Sequence, residues 1–374
     1  MSKAEKISNF NPNNPGDPDS NIFGLPFTCE ESEIVIVPVP WDVTVSYSDG
    51  TSGGPDAIMN ASFQVDLFEP SIQDAWKIGI AMEDISAEVV SKNKLLREKA
   101  KVYIDAFTQG VDHYQDQSKN KIRNAVKWIR SELWQAGDHS TANIRDEVNQ
   151  GSLWLNAWVK QRCLHWMNQG KFVALLGGDH STPLGFMQAL AEKYSTFGIL
   201  QIDAHADLRN AYEGFTYSHA SIMHNALGLS QVSKLVQVGI RDYCEEEVNV
   251  MREQKDRVVT FFDRDIKQEQ YNGKTWAQQA EHIVSQLPEN VYISFDIDGL
   301  DRKLCPNTGT PVAGGLEFEQ AAYLMQSLVK SGKKIIALDL NEVAPGDNDE
   351  WDANVGARML LRMCNFMALS NNRR

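Results

Sequence analysis

Residues 197–209 read FGILQIDAHADLR and residues 291–301 read VYISFDIDGLD. In each, a β-branched and apolar run of strand length breaks off at acids in alternate positions, Asp203 and Asp207 around His205 in the first, Asp296 and Asp298 in the second. A third run, FVALLGGDHS at 172–181, ends in Gly177-Gly178-Asp179-His180-Ser181. Further runs of this kind lie at 34–39, 77–81, 234–240, 258–262 and 334–340, and most are separated by segments of helical length and period. A parallel strand pair needs a crossover, which is ordinarily a helix. The alternation therefore predicts a three-layer α/β/α sandwich around a central, mainly parallel sheet of about eight strands.

The same reading sets the domain organisation. Residues 1–30 open with MSKAEKISNFNPNNPGDPDS, which reads as a polar, partly disordered N-terminal extension without the apolar core of a secretory signal. Residues 31–374 form one α/β domain. It carries a helical insertion at about 86–170, where LLREKAKVYIDAF, KIRNAVKWIRSELWQAG and LWLNAWVKQRCLHWMNQG repeat apolar residues at spacings of three and four. Two or three amphipathic helices are expected there, with Trp128, Trp134, Trp154 and Trp158 as packing residues.

Charge and composition exclude several classes. Lys and Arg number 36 against 50 Asp and Glu, a formal net charge of −14, and no basic run of the kind a nucleic-acid surface needs is present. Apolar runs fall far short of the ~18 residues of a membrane helix. The five cysteines, Cys29, Cys163, Cys244, Cys305 and Cys364, are scattered without a CxxC pair, as free thiols of a reducing compartment would be. The expectation is a cytoplasmic protein with a small-molecule partner, no nucleic acid and no membrane.

Ligands of an open α/β sheet bind outside the carboxyl ends of its strands, so the three motif endings can converge on one site. Alternate residues of extended chain point the same way, which gathers Asp203, His205, Asp207, Asp296 and Asp298 near His180. So many acids repel one another, and burying them unpaired would cost several kcal/mol each. A cation must neutralise them. Mixed carboxylate and imidazole donors suit a divalent ion such as manganese, and there are enough of them for two ions.

These motifs resemble those of the ureohydrolase superfamily, which includes arginase, agmatinase, guanidinobutyrase and formimidoylglutamase. The similarity runs from about Glu33 onward, through GTSGGPDAI at 50–58, DIDGLDRKLCPNTGTPVAGGL at 296–316 and LDLNEVAP at 338–345. The resemblance implies an arginase-like fold and two divalent metal ions per chain, manganese or nickel. One would be held by His180, Asp203, Asp207 and Asp296, the other by Asp203, His205, Asp296 and Asp298. It implies hydrolysis of a guanidino carbon–nitrogen bond by attack of a metal-bridging hydroxide, releasing urea. His219, in SHAS, would be the proton-transferring residue, with His224 as its rival. Asp207 and Glu342 would complete the catalytic set, Glu342 by pairing with the substrate guanidinium. A homo-oligomer, trimer or hexamer, is implied as well.

The segment LRNAYEGFTYSHAS at 208–221 is closer to agmatinase-type sequences than to arginases, which argues against arginine as the substrate. Agmatine, giving putrescine and urea, and free guanidine, giving urea and ammonia, stand close to level. A loop with Trp41 and Thr44 that walls off a small pocket would favour guanidine. Guanidinobutyrate, and a non-catalytic metal-stabilised subunit, are the alternatives. A single-zinc deacetylase is disfavoured by the Asp203/His205/Asp207 triplet. His113, His139, His165 and His282 read as surface or packing residues, and Cys305 as structural.

Overall fold

The computed structural model describes residues 1–108, 141–347 and 349–373. Among them, eight strands form one sheet in which every pairing is parallel. They are β1 (Ile34–Val39), β2 (Ile80–Met82), β3 (Phe172–Gly177), β4 (Phe197–Ile202), β5 (Val232–Ile240), β6 (Val258–Phe262), β7 (Asn290–Asp296) and β8 (Lys334–Asn341). The run expected at 77–81 starts late. Ala75–Ile78 form a 3-10 turn and Gly79, at φ 82°, redirects the chain, so pairing begins at Ile80.

The α-helices among the described residues are α1 (Lys3–Asn9), α2 (Gly54–Ser62), α3 (Ala87–Thr108), α4 (Thr141–Asn168), α5 (Leu184–Lys193), α6 (Ile222–Leu227), α7 (Glu245–Glu253), α8 (Asp263–Tyr271), α9 (Trp276–Ser285), α10 (Phe318–Lys330) and α11 (Trp351–Ser370). Strand side chains alternate between two apolar layers. Val35, Val37, Val173, Leu175, Ile199 and Tyr292 face a layer built with α3 to α7. Ile34, Ile36, Ala174, Leu176, Leu200 and Ile293 face the other, built mainly with α2 and α8 to α11. The three-layer sandwich follows from that alternation. No helix among the described residues is long and apolar enough to cross a membrane.

Residues 1–30 depart from the expected disordered extension. Ser2 and Glu5 form a capping box on α1, Phe10 stacks on Trp76 at 5.0 Å, and Ile22, Phe23, Leu25 and Phe27 are buried in the core. Apolar residues are sparse in this segment, but Ile7, Phe10, Ile22, Phe23, Leu25 and Phe27 pack on the body of the protein, which average composition does not reveal. In the insertion, α3 and α4 are the first and third of the expected helices and pack on each other. The second, KIRNAVKWIRSELWQAG with Trp128 and Trp134, lies outside the described residues, as do His113 and His139.

The strand order is β2-β1-β3-β8-β7-β4-β5-β6. Strands β3, β8, β7 and β4 are therefore neighbours, although far apart in the chain. Their carboxyl ends deliver His180, Glu342, the Asp296/Asp298 pair and the Asp203/His205/Asp207 triplet to one edge of the sheet.

Candidate metal centre and active site

Backbone fit at the end of β3 is tight. A Cβ on Gly177 would lie 1.9 Å from Asn341 Oδ1, and one on Gly178 would lie 2.2 Å from the Trp41 carbonyl oxygen. Only glycine lets β3 pass so close to β8 and to the loop after β1. The Asp179 amide then donates to Trp41 O (2.7 Å), and the His180 amide donates to Glu342 Oε1 (2.8 Å). Glu342 itself has φ 62° and Asp207 has φ 56°, a left-handed geometry that costs a non-glycine residue about 1–3 kcal/mol. Both lie at the site, where such strain concentrates.

His180 presents Nδ1 to three carboxylates: Asp203 Oδ2 at 3.0 Å, Asp207 Oδ2 at 3.1 Å and Asp296 Oδ2 at 3.4 Å. Its Nε2 lies 2.9 Å from Ser294 Oγ, which donates to Asp339 Oδ1 at 3.2 Å. Such a partner on the far nitrogen orients the ring and leaves Nδ1 free as a ligand atom. His205 Nδ1 lies 3.0 Å from Asp298 Oδ2 and 3.6 Å from Asp203 Oδ1. Asp203 thus turns one oxygen to each imidazole. Two groups of donor atoms close enough to share an ion result, His180/Asp203/Asp296 and Asp203/His205/Asp298. Asp207 adjoins the first group, and Asp296 Oδ1 accepts the Asp298 amide at 2.8 Å.

Electrostatics mark the cluster as built for cations. Burial, reinforced by the Asp203 charge, pushes Asp207 up to about 7. Burial likewise raises Asp296 well above the carboxylate range, with Asp298 and Asp203 adding to the effect. Burial opposes charging of His180, yet the carboxylates of Asp203, Asp207 and Asp296 drive its pKa well above 6.5. Left to itself the cluster takes up protons. His180 Nδ1, facing three carboxylates, and Asp298 Oδ2, facing His205 Nδ1 at 3.0 Å, are buried without a well-aligned hydrogen bond, which is costly unless something else binds between them. A carboxylate and imidazole donor set with orphaned ligand atoms fits divalent ions.

A cavity of about 520 Å³ opens over the cluster, lined by His205, Asp207, Arg209, Tyr212, His219, Asp242, Tyr243 and Glu247 on one side and by residues 46–48 and 310–312 on the other. His219 is at its wall, edge-on to Tyr212 at 5.9 Å, while its amide donates to Thr44 Oγ1 at 3.3 Å. His224 sits on α6, is not a wall residue, and donates its amide to Asp207 O at 3.2 Å. Burial, then the charges of His205 and His180, depress the His219 pKa to about 3. The ring, half-buried at the wall, is therefore held toward its neutral form. Glu342 is buried, and burial together with Asp179 raises its pKa well above the usual range. It is not a wall residue of the cavity, and its Oε1 is already engaged by the His180 amide.

Trp41 does not wall the cavity. Its side chain is fully buried in the core beside Trp154, ring centres 6.5 Å apart, and the mouth is formed by the residues after it. Cys305 is buried with Sγ on Ile297 O, as a structural thiol would be. His165 stacks on Trp166 and His282 on Phe261, both away from the site. Several supporting residues escaped the sequence reading. Gln201 Nε2 donates to Asp203 Oδ2 (2.8 Å), and Arg241 donates to the carbonyls of Asp298, Leu300 and Val312, tying the loop after β7 to the cavity wall. Ser294 and Asp339 belong with them, while Thr44, expected in the pocket loop, holds the His219 amide instead of walling the cavity.

Comparison with known proteins agrees with this architecture. The arginase family model matches residues 32–365. An N(1)-aminopropylagmatine ureohydrolase of Thermus thermophilus is 28% identical over 332 residues, 89% of each chain. An agmatinase of Bacillus anthracis is 25% identical over 336 residues, 89% of this chain and 91% of the relative. The crystal structure of agmatine ureohydrolase of Thermoplasma volcanium superposes with a TM-score of 0.66 at 21% identity, covering 99% of both chains. With the family match spanning all eight strands and the whole His/Asp cluster, the chain belongs to the arginase family and is a hydrolase acting on guanidino carbon–nitrogen bonds.

Proposed function

We propose that this chain hydrolyses a small guanidino compound to urea at a two-metal centre. His180, Asp203, Asp207 and Asp296 would hold one ion, and Asp203, His205, Asp296 and Asp298 would hold the other. The observation that carries the reading is Asp203, whose two oxygens face two different imidazole Nδ1 atoms at 3.0 and 3.6 Å. Manganese suits these donors, and nickel accepts the same set.

Divalent ions in such a centre lower the pKa of a bound water, the chemistry they lend to attack on a resonance-stabilised guanidinium carbon. The remaining work falls to side chains. A C–O bond forms, a C–N bond breaks, and the departing nitrogen must gain a proton. His219, neutral and at the cavity wall, accepts a proton from the nucleophile and returns it to that nitrogen. The family resemblance assigns Glu342 to the guanidinium through Oε2; it lies behind the cavity wall, and its Oε1 holds the His180 backbone in place.

Two substrates are supported by separate observations. The cavity has room for a tail as well as the guanidinium, which favours agmatine, in keeping with the names of the relatives. Free guanidine is favoured by one charge at the wall, the Arg209 guanidinium, whereas the exposed Asp242 carboxylate on the same wall suits a cationic tail. Glu247 is committed to the Leu208 and Cys244 amides, and the Arg209 guanidinium, lying on Tyr212 at 4.9 Å, opposes a cationic tail. A urea-release panel of agmatine, guanidine, guanidinobutyrate and arginine, on protein loaded separately with manganese and nickel, tests both. Urea from none of the four at full metal loading would end the proposal.

A further inference from the structure

The insertion that sets off α3 and α4 from the sheet touches both rims of the cavity. On one side, Asn93 of α3 exchanges hydrogen bonds with Asp42: the Asp42 amide donates to Asn93 Oδ1 (2.8 Å) and Asn93 Nδ2 donates to Asp42 Oδ1 (3.0 Å). Asp42 Oδ2 in turn accepts from Ser52 Oγ at 2.9 Å and from the Gly50 and Ser52 amides at 3.3 Å, closing the loop on itself. One turn further along α3, Arg97 donates from Nη1 to Val43 O and from Nε to Asp49 Oδ1, each at 3.0 Å. Lys101 also pairs with Asp49. Asn93 and Arg97 are four residues apart, so they share one helix face. Both are buried. Between their anchor points lie Thr44, which holds the His219 amide and donates to Asp179 Oδ2 at 3.5 Å, and residues 46–48 of the mouth.

On the other side, Asn149 of α4 spans a turn of the opposite rim. Its Nδ2 donates to Gly214 O (3.3 Å) and its Oδ1 accepts the Thr216 amide (2.9 Å). Tyr103 of α3 packs tilted against Phe215, ring centres 5.1 Å apart, and Gly214 turns the chain at φ 82° beside Tyr103 and Arg145. That rim carries Tyr212 and His219.

We propose that α3 and α4 are the scaffold of the cavity mouth, with Asn93, Arg97 and Asn149 acting as positioning residues for the loops that carry Thr44 and His219. The inference rests on the reading of this cavity as the substrate site. Loops are the mobile parts of an α/β enzyme, and two polar clamps onto backbone groups convert them into parts of the rigid body. A scaffold of this kind sets how far the mouth opens, and so which guanidino compounds enter, without touching any of them.

Hydrogen–deuterium exchange of the metal-loaded full chain tests the scaffold independently of activity. In Arg97→Ala and in Asn149→Ala, amides of 43–50 and of 214–219 respectively should exchange about tenfold faster or more, while β3 and β4 keep their protection. Turnover supplies the second readout. With metal content unchanged, kcat/KM for the best guanidino substrate should fall about tenfold, and Arg97→Ala should cost little more once Thr44→Val has cut the link to His219. Arg97→Lys, which keeps the charge toward Asp49 but cannot reach Val43 O as well, should lie between and guards against loss of fold in the alanine variant. Unchanged exchange in both loops overturns the proposal, as does faster exchange spread evenly over β3 and β4. If the wild type releases urea from none of the four compounds, the proposed activity fails while the loop exchange still decides the scaffold.

Discussion

Replacing His219 by Asn separates proton transfer from metal binding. The His219 amide stays tethered to Thr44 whatever the side chain, and neither group of candidate metal donors includes this residue. Asn therefore preserves the loop and the ions, and removes only a group that can accept and return a proton. That service is worth roughly 10²–10⁴ in rate, about 3–5 kcal/mol of barrier at 1.36 kcal/mol per tenfold. The depressed pKa gives the prediction a second edge. Burial and the neighbouring imidazoles hold its pKa below the ordinary 6.5, so the ring stays neutral from about pH 7 to pH 9. His219→Asn should thus lower the kcat–pH profile by one constant factor and leave its shape alone. Steady-state urea release across that range, with metal content measured on the same samples, is the assay. A limb in the wild-type profile that vanishes in His219→Asn would refute the reasoning, since the ring would then titrate in the working range. Equal loss in His224→Asn would place the proton carrier on α6 instead.

Three further outcomes are expected. Asp203→Ala should abolish activity and leave fewer than two ions per chain after reloading, because it removes an oxygen from each donor group; metal analysis that finds two ions would remove Asp203 as a bridge. Ser294→Ala should weaken ion binding about 10–100-fold by calorimetry, since His180 loses the partner that orients its ring. Trp41→Ala should destabilise the fold by about 3–5 kcal/mol through a core cavity, read by denaturant melts, and should leave the ratio of guanidine to agmatine turnover unchanged. A shifted substrate ratio in a variant of native stability would show that Trp41 shapes the mouth after all.

The sheet and the clustering of these His and Asp side chains were legible because each depends on short-range pattern. Alternating apolar runs define strands, and Asp203, His205 and Asp207 share a side of the chain by the period of extended backbone alone. Grouping these acids with His180 and Asp298 needed only the rule that sites lie at the carboxyl ends of parallel strands. The N-terminal segment was misjudged for the converse reason. Ile22, Phe23, Leu25 and Phe27 are too few to stand out in a polar stretch, and only a partner surface from elsewhere in the chain makes them core.

What tertiary structure alone decided is the machinery around the donors. Ser294 in mid-β7 and Asp339 in mid-β8 are ordinary strand residues until β7 and β8 lie side by side next to β3 and bring them under His180. Thr44 meets the His219 backbone across 175 positions of chain, and Asn93, Arg97 and Asn149 reach the mouth only because α3 and α4 pack back over it. Trp41 was moved from the pocket to the core by the same long-range packing. Local sequence determines which residues can bind a metal, since period and residue type are enough. Which residues orient those side chains, and which helices clamp the loops around the cavity, depends on contacts between segments that no local pattern encodes.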